Sequence, residues 1–220
     1  TENGMYVSYN DGASWEAFQN NLPIVPITDL TIKDNSLIVA TQGRSLWMVD
    51  DLTVLHQLLA DEKSSAKTPR LFDPKDAYRT KGRGGRSSLT AGTNLPNGVI
   101  THFYLPEGME KDSVVLNYHN AAGEVLASYS NKAKERSKKL PLGKGANTFV
   151  WDTRGTGAER LDGMILWWAN LDGPKAVPGA YKVSMSVGDQ TIATHDFSIL
   201  PDPRAEASVA DMQAQYDFIT

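Results

Sequence analysis

The chain has 220 residues, of which 40% are hydrophobic, 22% are charged and 9% are aromatic, a size and composition that suit one ordinary domain or two small ones and argue against disorder. Its formal net charge of −4 argues against a nucleic-acid partner, and the absence of cysteine excludes disulfides, thiolate metal sites and cysteine nucleophiles. No run approaches the roughly 18 apolar residues of a membrane-spanning helix, so we expect no membrane span.

Residues 1–59 predict an antiparallel meander. Short apolar runs at residues 4–9, 27–32, 37–41 and 46–49 are separated by turn-forming Asn, Asp and Gly. About four strands in such a short segment correspond to one β-propeller blade. A single blade leaves both faces of its sheet uncovered, so we expect this segment to need neighbouring sheets and to be unstable alone.

Residues 60–97 have the composition of a linker. Charged and small residues and prolines are frequent throughout this segment, and residues 81–93 are rich in Gly, Arg and Ser. We therefore expect a domain boundary here, with residues 81–93 mobile. Leu71, Phe72 and Tyr78 are expected to hold the linker against a neighbouring surface.

Residues 98–201 predict an immunoglobulin-like β-sandwich. About seven short strands spaced by turn residues over roughly 100 positions are typical of that fold. The expected strands lie at residues 99–105, 113–118, 125–129, 147–151, 164–168, 181–187 and 191–200. Because no cysteine pair can link the sheets, aromatic side chains are expected to form the core. These aromatic residues are Phe103, Phe149, Trp151, Tyr181 and Phe197.

Residues 202–220 predict the start of a C-terminal helix. Ser208 and Asp211 have the spacing of a capping box, and apolar residues follow at helical spacing. No Gly, Asn or Pro ends this helix before Thr220, and the chain opens on Thr1 without an initiating Met, so we expect a fragment of a longer polypeptide. The predicted fold class is all-β: a terminal propeller blade, an Ig-like sandwich and the start of a helix.

The sequence Ser-Tyr-Asn-Asp-Gly-Ala-Ser-Trp, which begins at Ser8, resembles the Asp-box or BNR repeat, S-x-D-x-G-x-T-W. Asn10 stands where the repeat usually has Asp, and Asp11 follows it. As a turn, the motif needs Asn10 or Asp11 to accept backbone N–H bonds, Gly12 to supply a positive φ, and Trp15 to pack beneath the turn. In the families that carry it, the box lies on the propeller rim away from the active site, which implies a structural role.

The rest of the chain extends this resemblance. Residues 1–59 look like the last blade of a large bacterial BNR-repeat protein of the glycosyl hydrolase type, within the sortilin-like propeller superfamily. Residues 147–152, Asn-Thr-Phe-Val-Trp-Asp, and 177–181, Val-Pro-Gly-Ala-Tyr, resemble the Ig-like or fibronectin type III-like module that follows such propellers. The resemblance implies a bacterial protein that is exported to the periplasm or beyond, with its leader outside this sequence.

The function implied by this resemblance is non-catalytic. The chain is expected to pack on its own upstream propeller blades and to contact a polysaccharide or a protein partner. The alternative is an accessory tail of a glycoside hydrolase whose catalytic residues lie upstream, and a third interpretation is a sortilin-like peptide-binding or secretion-related propeller. Whether the parent protein is an enzyme stays open.

Catalytic and metal-binding signals are weak in this chain. One blade cannot supply the carboxylate set of a glycosidase, and no G-x-S-x-G nucleophile elbow is present. The four histidines lie far apart in the sequence, without the spacing of a zinc site. We therefore assign no catalytic residue, no metal site and no cofactor.

Trp167, Trp168 and Arg44 are the candidate ligand or domain contacts. Adjacent residues of a strand point to opposite faces, so one Trp of the pair is expected to fill the core and the other to face outward. The outward Trp would contact a neighbouring domain or stack on a sugar ring; in a third interpretation both rings are buried in an irregular loop. Arg44 would point into a propeller channel or, as we favour, tie the blade to its neighbour by a hydrogen bond.

Overall fold

The computed structural model describes residues 1–61, 66–80, 95–159, 161–168 and 170–220. These residues form mostly β structure with two short α-helices, which confirms the predicted all-β class. The chain divides into two compact units, Thr1–Ser64 and Ser65–Thr220. None of the helices in the described part of the chain combines the length and the hydrophobicity that spanning a bilayer takes.

The first unit contains a three-stranded antiparallel sheet and a separate two-stranded hairpin. Its elements are β1 (Tyr6–Val7), β2 (Glu16–Ala17), β3 (Ile27–Lys33), β4 (Ser36–Thr41), β5 (Leu46–Val49) and α1 (Thr53–Ala60). The sheet has the order β3-β4-β5, and β1 pairs with β2. Val39 on the central strand packs with Met5 and Leu22, and these three buried side chains form a small core.

The helix α1 differs from the meander expected over residues 1–59. The carboxylate of Asp51 accepts a hydrogen bond from the backbone N–H of Thr53 at 2.8 Å, and the side-chain amide of Asn35 donates to the Thr53 hydroxyl at 2.7 Å. The residues between Thr53 and Ala60 include no Gly or Pro. A short apolar run of this kind fits a strand or a helix, and the bonds at its first residue favour the helix here.

The second unit contains two sheets. Its strands are β6 (Arg70–Leu71), β7 (Ala77–Arg79), β8 (Val99–Leu105), β9 (Val114–Asn120), β10 (Val125–Ser130), β11 (Gly145–Trp151), β12 (Gly179–Val187) and β13 (Gln190–Pro201). A curled five-stranded sheet has the order β10-β9-β12-β13-β7, and a three-stranded sheet has the order β11-β8-β6. All pairs are antiparallel except β13 with β7. Two short 3₁₀ helices, Met109–Lys111 and Arg136–Lys138, lie in the connections.

Side chains from both sheets of the second unit share one aromatic core. Trp151 of β11 is fully buried and stacks on Tyr118 of β9, with ring centroids 4.5 Å apart. Tyr181 stacks on Phe197 at 5.9 Å. Four of the five aromatic residues expected in the core are buried, and Phe149 is partly buried at its edge. Sequence analysis missed Tyr118, which lies at the centre of this cluster.

Residues 66–80, expected within the linker, belong to the second unit. The strand β6 pairs with β8, and β7 pairs in parallel with β13. Leu71 and Phe72 are buried, whereas Tyr78 is exposed. The Nδ1 atom of His195 on β13 contacts the carboxylate of Asp73, and its Nε2 lies 3.1 Å from the Leu71 carbonyl oxygen. Strand pairing therefore holds this segment, and the expected mobility of residues 81–93 lies outside the described residues.

The strand expected at residues 164–168 is absent, and this prediction is wrong. The segment lies in a loop whose ends meet where the Ala158 N–H donates to the Leu171 carbonyl at 3.0 Å. Trp168 has a φ of 58°, which no β-strand allows. A run of large apolar residues does not distinguish a buried strand from an exposed loop, because both produce the same pattern.

The helix α2 (Val209–Ile219) confirms the predicted C-terminal helix. The backbone N–H of Asp211 donates to the Ser208 hydroxyl at 3.2 Å, and the Asp211 carboxylate accepts from the Ser208 N–H at 2.9 Å. This reciprocal pair is the capping box expected from the sequence. Met212 is buried and anchors the first turn.

Candidate functional site

A cleft of about 840 Å³ opens on the second unit. It lies between the end of β10, residues 135–138, residues 152–159 after β11, and residues 171–173. Its volume falls in the range of roughly 300–1,000 Å³ that is typical of ligand sites. The charged side chains that line the cleft are Glu135, Lys138, Asp152, Arg154, Glu159 and Asp172, and Tyr129 and Thr156 add hydroxyl groups.

Two backbone segments approach closely along one wall of this cleft. The Gly155 N–H donates to the Pro174 carbonyl at 3.0 Å. A Cβ atom on Gly157 would lie 2.0 Å from the Leu171 carbonyl oxygen, and one on Gly173 would lie 2.2 Å from the Gly155 carbonyl oxygen. Both contacts are impossible for a side chain, so glycine is required where the two segments meet, and the wall is formed by closely packed backbone.

Arg154 is held in position by several bonds. Its backbone N–H donates to Asp152 at 3.0 Å, its Nη1 donates to the Gly173 carbonyl at 2.7 Å, and its own carbonyl accepts from the Trp151 indole at 2.8 Å. The carboxylate of Asp152 also lies 3.8 Å from the Arg154 Nε. The core tryptophan and the cleft arginine are therefore directly connected.

Tyr129 contributes a neutral hydroxyl to the cleft. Its ring packs on Phe149, with centroids 4.6 Å apart. Burial, together with the nearby carboxylate of Asp152, raises the pKa of Tyr129 to about 12. The phenol therefore stays protonated at ordinary pH and can donate a hydrogen bond.

Glu135 of the cleft lacks the pKa shift of a glycosidase acid. The Ser137 hydroxyl, and then Lys138 at 3.0 Å, lower the pKa of Glu135. A general acid needs the opposite shift, because it must hold a proton at the working pH. Glu135 is thus suited to accepting hydrogen bonds.

A loop between two segments that line the cleft exposes large apolar side chains. We call residues 161–168 the apolar loop; they lie between Glu159 and Leu171, both of which line the cleft. Trp167 is 80% exposed and Trp168 is fully exposed. The exposed apolar residues of the loop are Leu161, Met164, Ile165, Trp167 and Trp168. Adjacent exposed apolar groups on this scale mark interaction surfaces.

The structure corrects the interpretation of the tryptophan pair. Neither Trp167 nor Trp168 enters the core, so the expectation that one of them fills it is wrong. Their roles as a domain contact or a sugar platform remain predictions. Arg44 is exposed after β4, and its carbonyl accepts a hydrogen bond from the Trp47 indole at 2.8 Å; its predicted contact with a neighbouring blade remains a prediction.

The turn that resembles the Asp-box is closed by side-chain hydrogen bonds. The Ser8 hydroxyl accepts from the Gly12 N–H at 2.7 Å, and the Asn10 side-chain carbonyl accepts from the Ser14 N–H at 2.9 Å. Of the two alternatives, Asn10 accepts this backbone bond, while Asp11 has a φ of 53° and Gly12 a φ of 88°. The residues thus form a self-contained polar turn.

Trp15, at the end of this turn, lies partly against a small cavity of the first unit. Its side chain is 63% exposed, and its ring lies beside Gly12. The cavity has a volume of about 360 Å³ and is otherwise lined mainly by apolar residues, among them Met5, Tyr6 and Leu30. Trp15 is therefore less buried than a ring packed beneath the turn would be.

One serine–histidine contact outside the cleft has no catalytic geometry. The His119 Nε2 lies 2.9 Å from the Ser184 hydroxyl, and its Nδ1 lies 3.4 Å from the Gly123 carbonyl. Ser184 sits within β12, which pairs with β9 and β13 on its two sides. Backbone N–H groups engaged in these ladders cannot form an oxyanion hole, so the pair is a cross-strand hydrogen bond.

Metal binding has no geometric support either. Over the ranges that the structure describes, no group of three or more His, Asp or Glu side chains is arranged to hold a metal ion.

Comparison of the chain with protein-family models, curated proteins and solved structures gave no match.

Sequence analysis missed the cleft residues Tyr129, Asp152 and Arg154 as site residues. The usable signal was a polar segment, Asp-Thr-Arg-Gly-Thr-Gly, directly after a strand that ends in a core tryptophan. Loops that leave a rigid strand end often carry binding residues.

Proposed function

We propose that this chain is a non-catalytic binding and structural region of a BNR-repeat propeller protein. In this proposal residues 1–59 are the terminal blade and pack on other blades of the same protein. The second unit is an Ig-like sandwich that contacts a polysaccharide or a protein partner. The resemblance of the turn at Ser8 to the Asp-box and the open apolar surface of the first unit support the proposal.

The observation that carries the proposal is the exposure of apolar side chains on both faces of the sheet β3-β4-β5. Leu46 and Met48 point to one face of β5 and are 70% and 58% exposed. Leu30 and Ile32 lie on the opposite face, beside the buried Val39, and are 55% and 60% exposed. An antiparallel sheet that packs on the core with one face normally presents polar residues on its other face.

Sheets of neighbouring blades would cover these side chains. In a propeller, each blade packs its two faces against the adjacent blades, so apolar residues on both faces are expected. Burial of apolar surface stabilises by about 25 cal/mol per Å². The small core of the first unit makes such external packing the main source of its stability.

The second unit contributes the binding surface in this proposal. Its cleft combines charged groups and a neutral phenol, and the apolar loop connects two of the segments that line it. A concave polar site and exposed aromatic rings on one unit suit a sugar chain or a peptide. Two sheets that share one aromatic core support the Ig-like assignment of this unit.

A solution experiment on the full 220-residue chain tests the blade assignment. We expect mass to rise with concentration in size-exclusion chromatography with light scattering, because uncovered blade faces associate. The double variant Leu46→Lys, Met48→Lys should reduce this association. The matched control Val125→Lys, Phe218→Lys changes two exposed apolar residues of the second unit and should have no such effect. A chain that stays monomeric and binds no apolar dye would contradict the proposal.

A further inference from the structure

Three basic residues lie on adjoining segments of the second unit, and one of them, Arg154, lines the cleft. Arg154 and Lys175 are partners in an isolated antiparallel bridge, which brings their backbones together. The Nε of Arg79 donates to the carbonyl of Ala176 at 3.1 Å, and the Nζ of Lys175 donates to the carbonyl of Thr80 at 2.7 Å. The two side-chain bonds hold the segments of Arg79 and Lys175 together, and the bridge places Arg154 opposite Lys175.

The acceptors that these cations contact are mostly neutral. Arg79 also donates to the side-chain carbonyl of Gln215 at 3.2 Å, and Arg154 donates to the Gly173 carbonyl at 2.7 Å. The carboxylate of Asp152, 3.8 Å from the Arg154 Nε, is the negative charge beside them. Three positive charges therefore lie beside the Asp152 carboxylate, a local surplus of positive charge in a cleft whose other acidic lining residues are Glu135, Glu159 and Asp172.

Burial raises the free-energy cost of keeping these positive charges together. All three basic residues are half-buried. Burial lowers the pKa of Lys175, and the charges of Arg154 and Arg79 lower it further, against the effect of Asp152. Burial also lowers the pKa of Arg79. Like charges gathered in a partly desolvated place are stabilised when an anion binds between them.

The segment that follows Thr80 in the sequence adds no negative charge. Residues 81–94, which follow Thr80 directly, contain three basic residues and no Asp or Glu. Within the described part of the chain, Arg154 gives one of its five N–H donors and Lys175 one of its three to the acceptors named above. Donors therefore remain for a ligand.

We propose that Arg79, Arg154 and Lys175 form an anion site that binds the acidic group of a polysaccharide lying in the cleft. The guanidinium fork matches the two oxygens of a carboxylate or the oxygens of a sulfate ester. The cleft is too large for a single small ion, and its hydroxyl and carboxylate groups suit the hydroxyls of sugar rings. The inference rests on the proposed function, since it specifies the polysaccharide as an acidic one.

The net negative charge of the chain does not favour binding of a polyanion. The chain carries a net charge of −4, so a polyanion gains no attraction from the molecule as a whole. Binding of an acidic polysaccharide must then depend on a local cationic cluster. Substitution of that cluster should remove the binding rather than merely weaken a diffuse attraction.

Calorimetric titration of the full chain with three oligosaccharides tests the proposal. The probes are a galacturonate oligomer, a sulfated dextran oligomer and a neutral dextran oligomer. We expect tighter binding of one or both acidic oligomers than of the neutral one. The variants Arg154→Gln and Lys175→Gln should each weaken this binding about tenfold or more, the effect of losing about 1.4 kcal/mol. Lys144→Gln makes the same charge change at an exposed ion pair of the same unit and should leave binding unchanged.

The outcomes separate this inference from the proposed function. Equal binding of neutral and acidic oligomers, unchanged in Arg154→Gln, would overturn the anion site and leave polysaccharide binding standing. No binding of any oligomer, with stabilisation by sodium sulfate over sodium chloride of equal ionic strength that is lost in Lys175→Gln, would overturn the polysaccharide and leave a simple anion site. Near-ultraviolet circular dichroism of each variant establishes that its aromatic core is intact. Arg154→Lys should bind with intermediate affinity, because it keeps the charge without the fork.

Discussion

Trp151 links the core of the second unit to the cleft. Its ring is fully buried against Tyr118, while its indole N–H donates to the carbonyl of Arg154 at 2.8 Å. A buried indole needs such an acceptor, because an unpaired N–H in an apolar core is costly. The same side chain therefore satisfies its own polar atom and fixes the backbone that carries the cleft arginine.

Tyr129 gives a pH-dependent prediction at the residue scale. Because its pKa in the folded state is raised to about 12, above the unfolded value of about 10, the folded protein holds this proton more tightly. The resulting stability is fully present below about pH 10 and is lost as the pH rises towards 12. Urea unfolding measured from pH 9 to pH 12 should show a smaller loss of stability in Tyr129→Phe than in the wild type. Parallel pH profiles of the two proteins would contradict this assignment.

At the scale of elements, the site depends on close contacts between connecting segments. The segment after β11 and the segment before β12 pair through backbone hydrogen bonds, and glycines allow their approach. On the other side of the unit, His195 of β13 contacts both Asp73 and the Leu71 carbonyl, which holds the segment around β6. The segment around the short strand β6 is thus held by polar contacts with the long strand β13.

Gly157→Ala tests the packing of the two segments. The added Cβ would lie 2.0 Å from the Leu171 carbonyl oxygen, so the segments must separate. We expect a loss of about 1–3 kcal/mol in unfolding free energy, as is usual for overpacking, together with loss of ligand binding in the cleft. The matched control is Gly143→Ala, where the nearest atom to the new Cβ is 3.7 Å away, and it should be nearly neutral in chemical denaturation. Equal unfolding free energies of the two variants would contradict the prediction, because the two backbone segments of the cleft wall would then accommodate the added Cβ.

At the scale of the whole molecule, the two units differ in how much they bury. Among the residues that the structure describes, the core of the second unit contains 17 buried side chains, whereas that of the first unit contains three. Conformational entropy opposes folding in proportion to the number of ordered residues. The first unit buries fewer apolar side chains to offset this entropy. The difference is a property of the packing within each unit.

Hydrogen exchange of the full chain measures this difference directly. We expect backbone amides of β4 to exchange faster than those of β9 and β12, because local opening of the first unit exposes little apolar surface. Mass spectrometry of peptides from both units gives the comparison in one sample. The variant Val39→Ala should speed exchange further in β3–β5 and leave β12 unchanged. Equal protection of β4 and β12 would mean that the first unit is stable by itself.

Local features of the sequence were sufficient to predict several elements. Alternating apolar residues identified β8 and β12, and Ser208 with Asp211 identified the start of α2. These features depend on neighbours a few positions apart, which is why they are readable without the fold. Four aromatic residues of the core, Phe103, Trp151, Tyr181 and Phe197, were predictable because large apolar side chains on strands are usually buried, whereas Tyr118 was not predicted.

The amino-acid sequence by itself determined the all-β class, most strands of the second unit and the capped C-terminal helix, because side-chain periodicity and capping act over a few residues. Only the tertiary structure decided that residues 66–80 join the sheets, that Trp167 and Trp168 lie exposed in a loop, and that Lys175 pairs with Arg154 and bonds to the Thr80 carbonyl beside Arg79. These outcomes depend on which distant strands pair and in what order. Strand order is set by the free energy of the whole core, and no local pattern contains it.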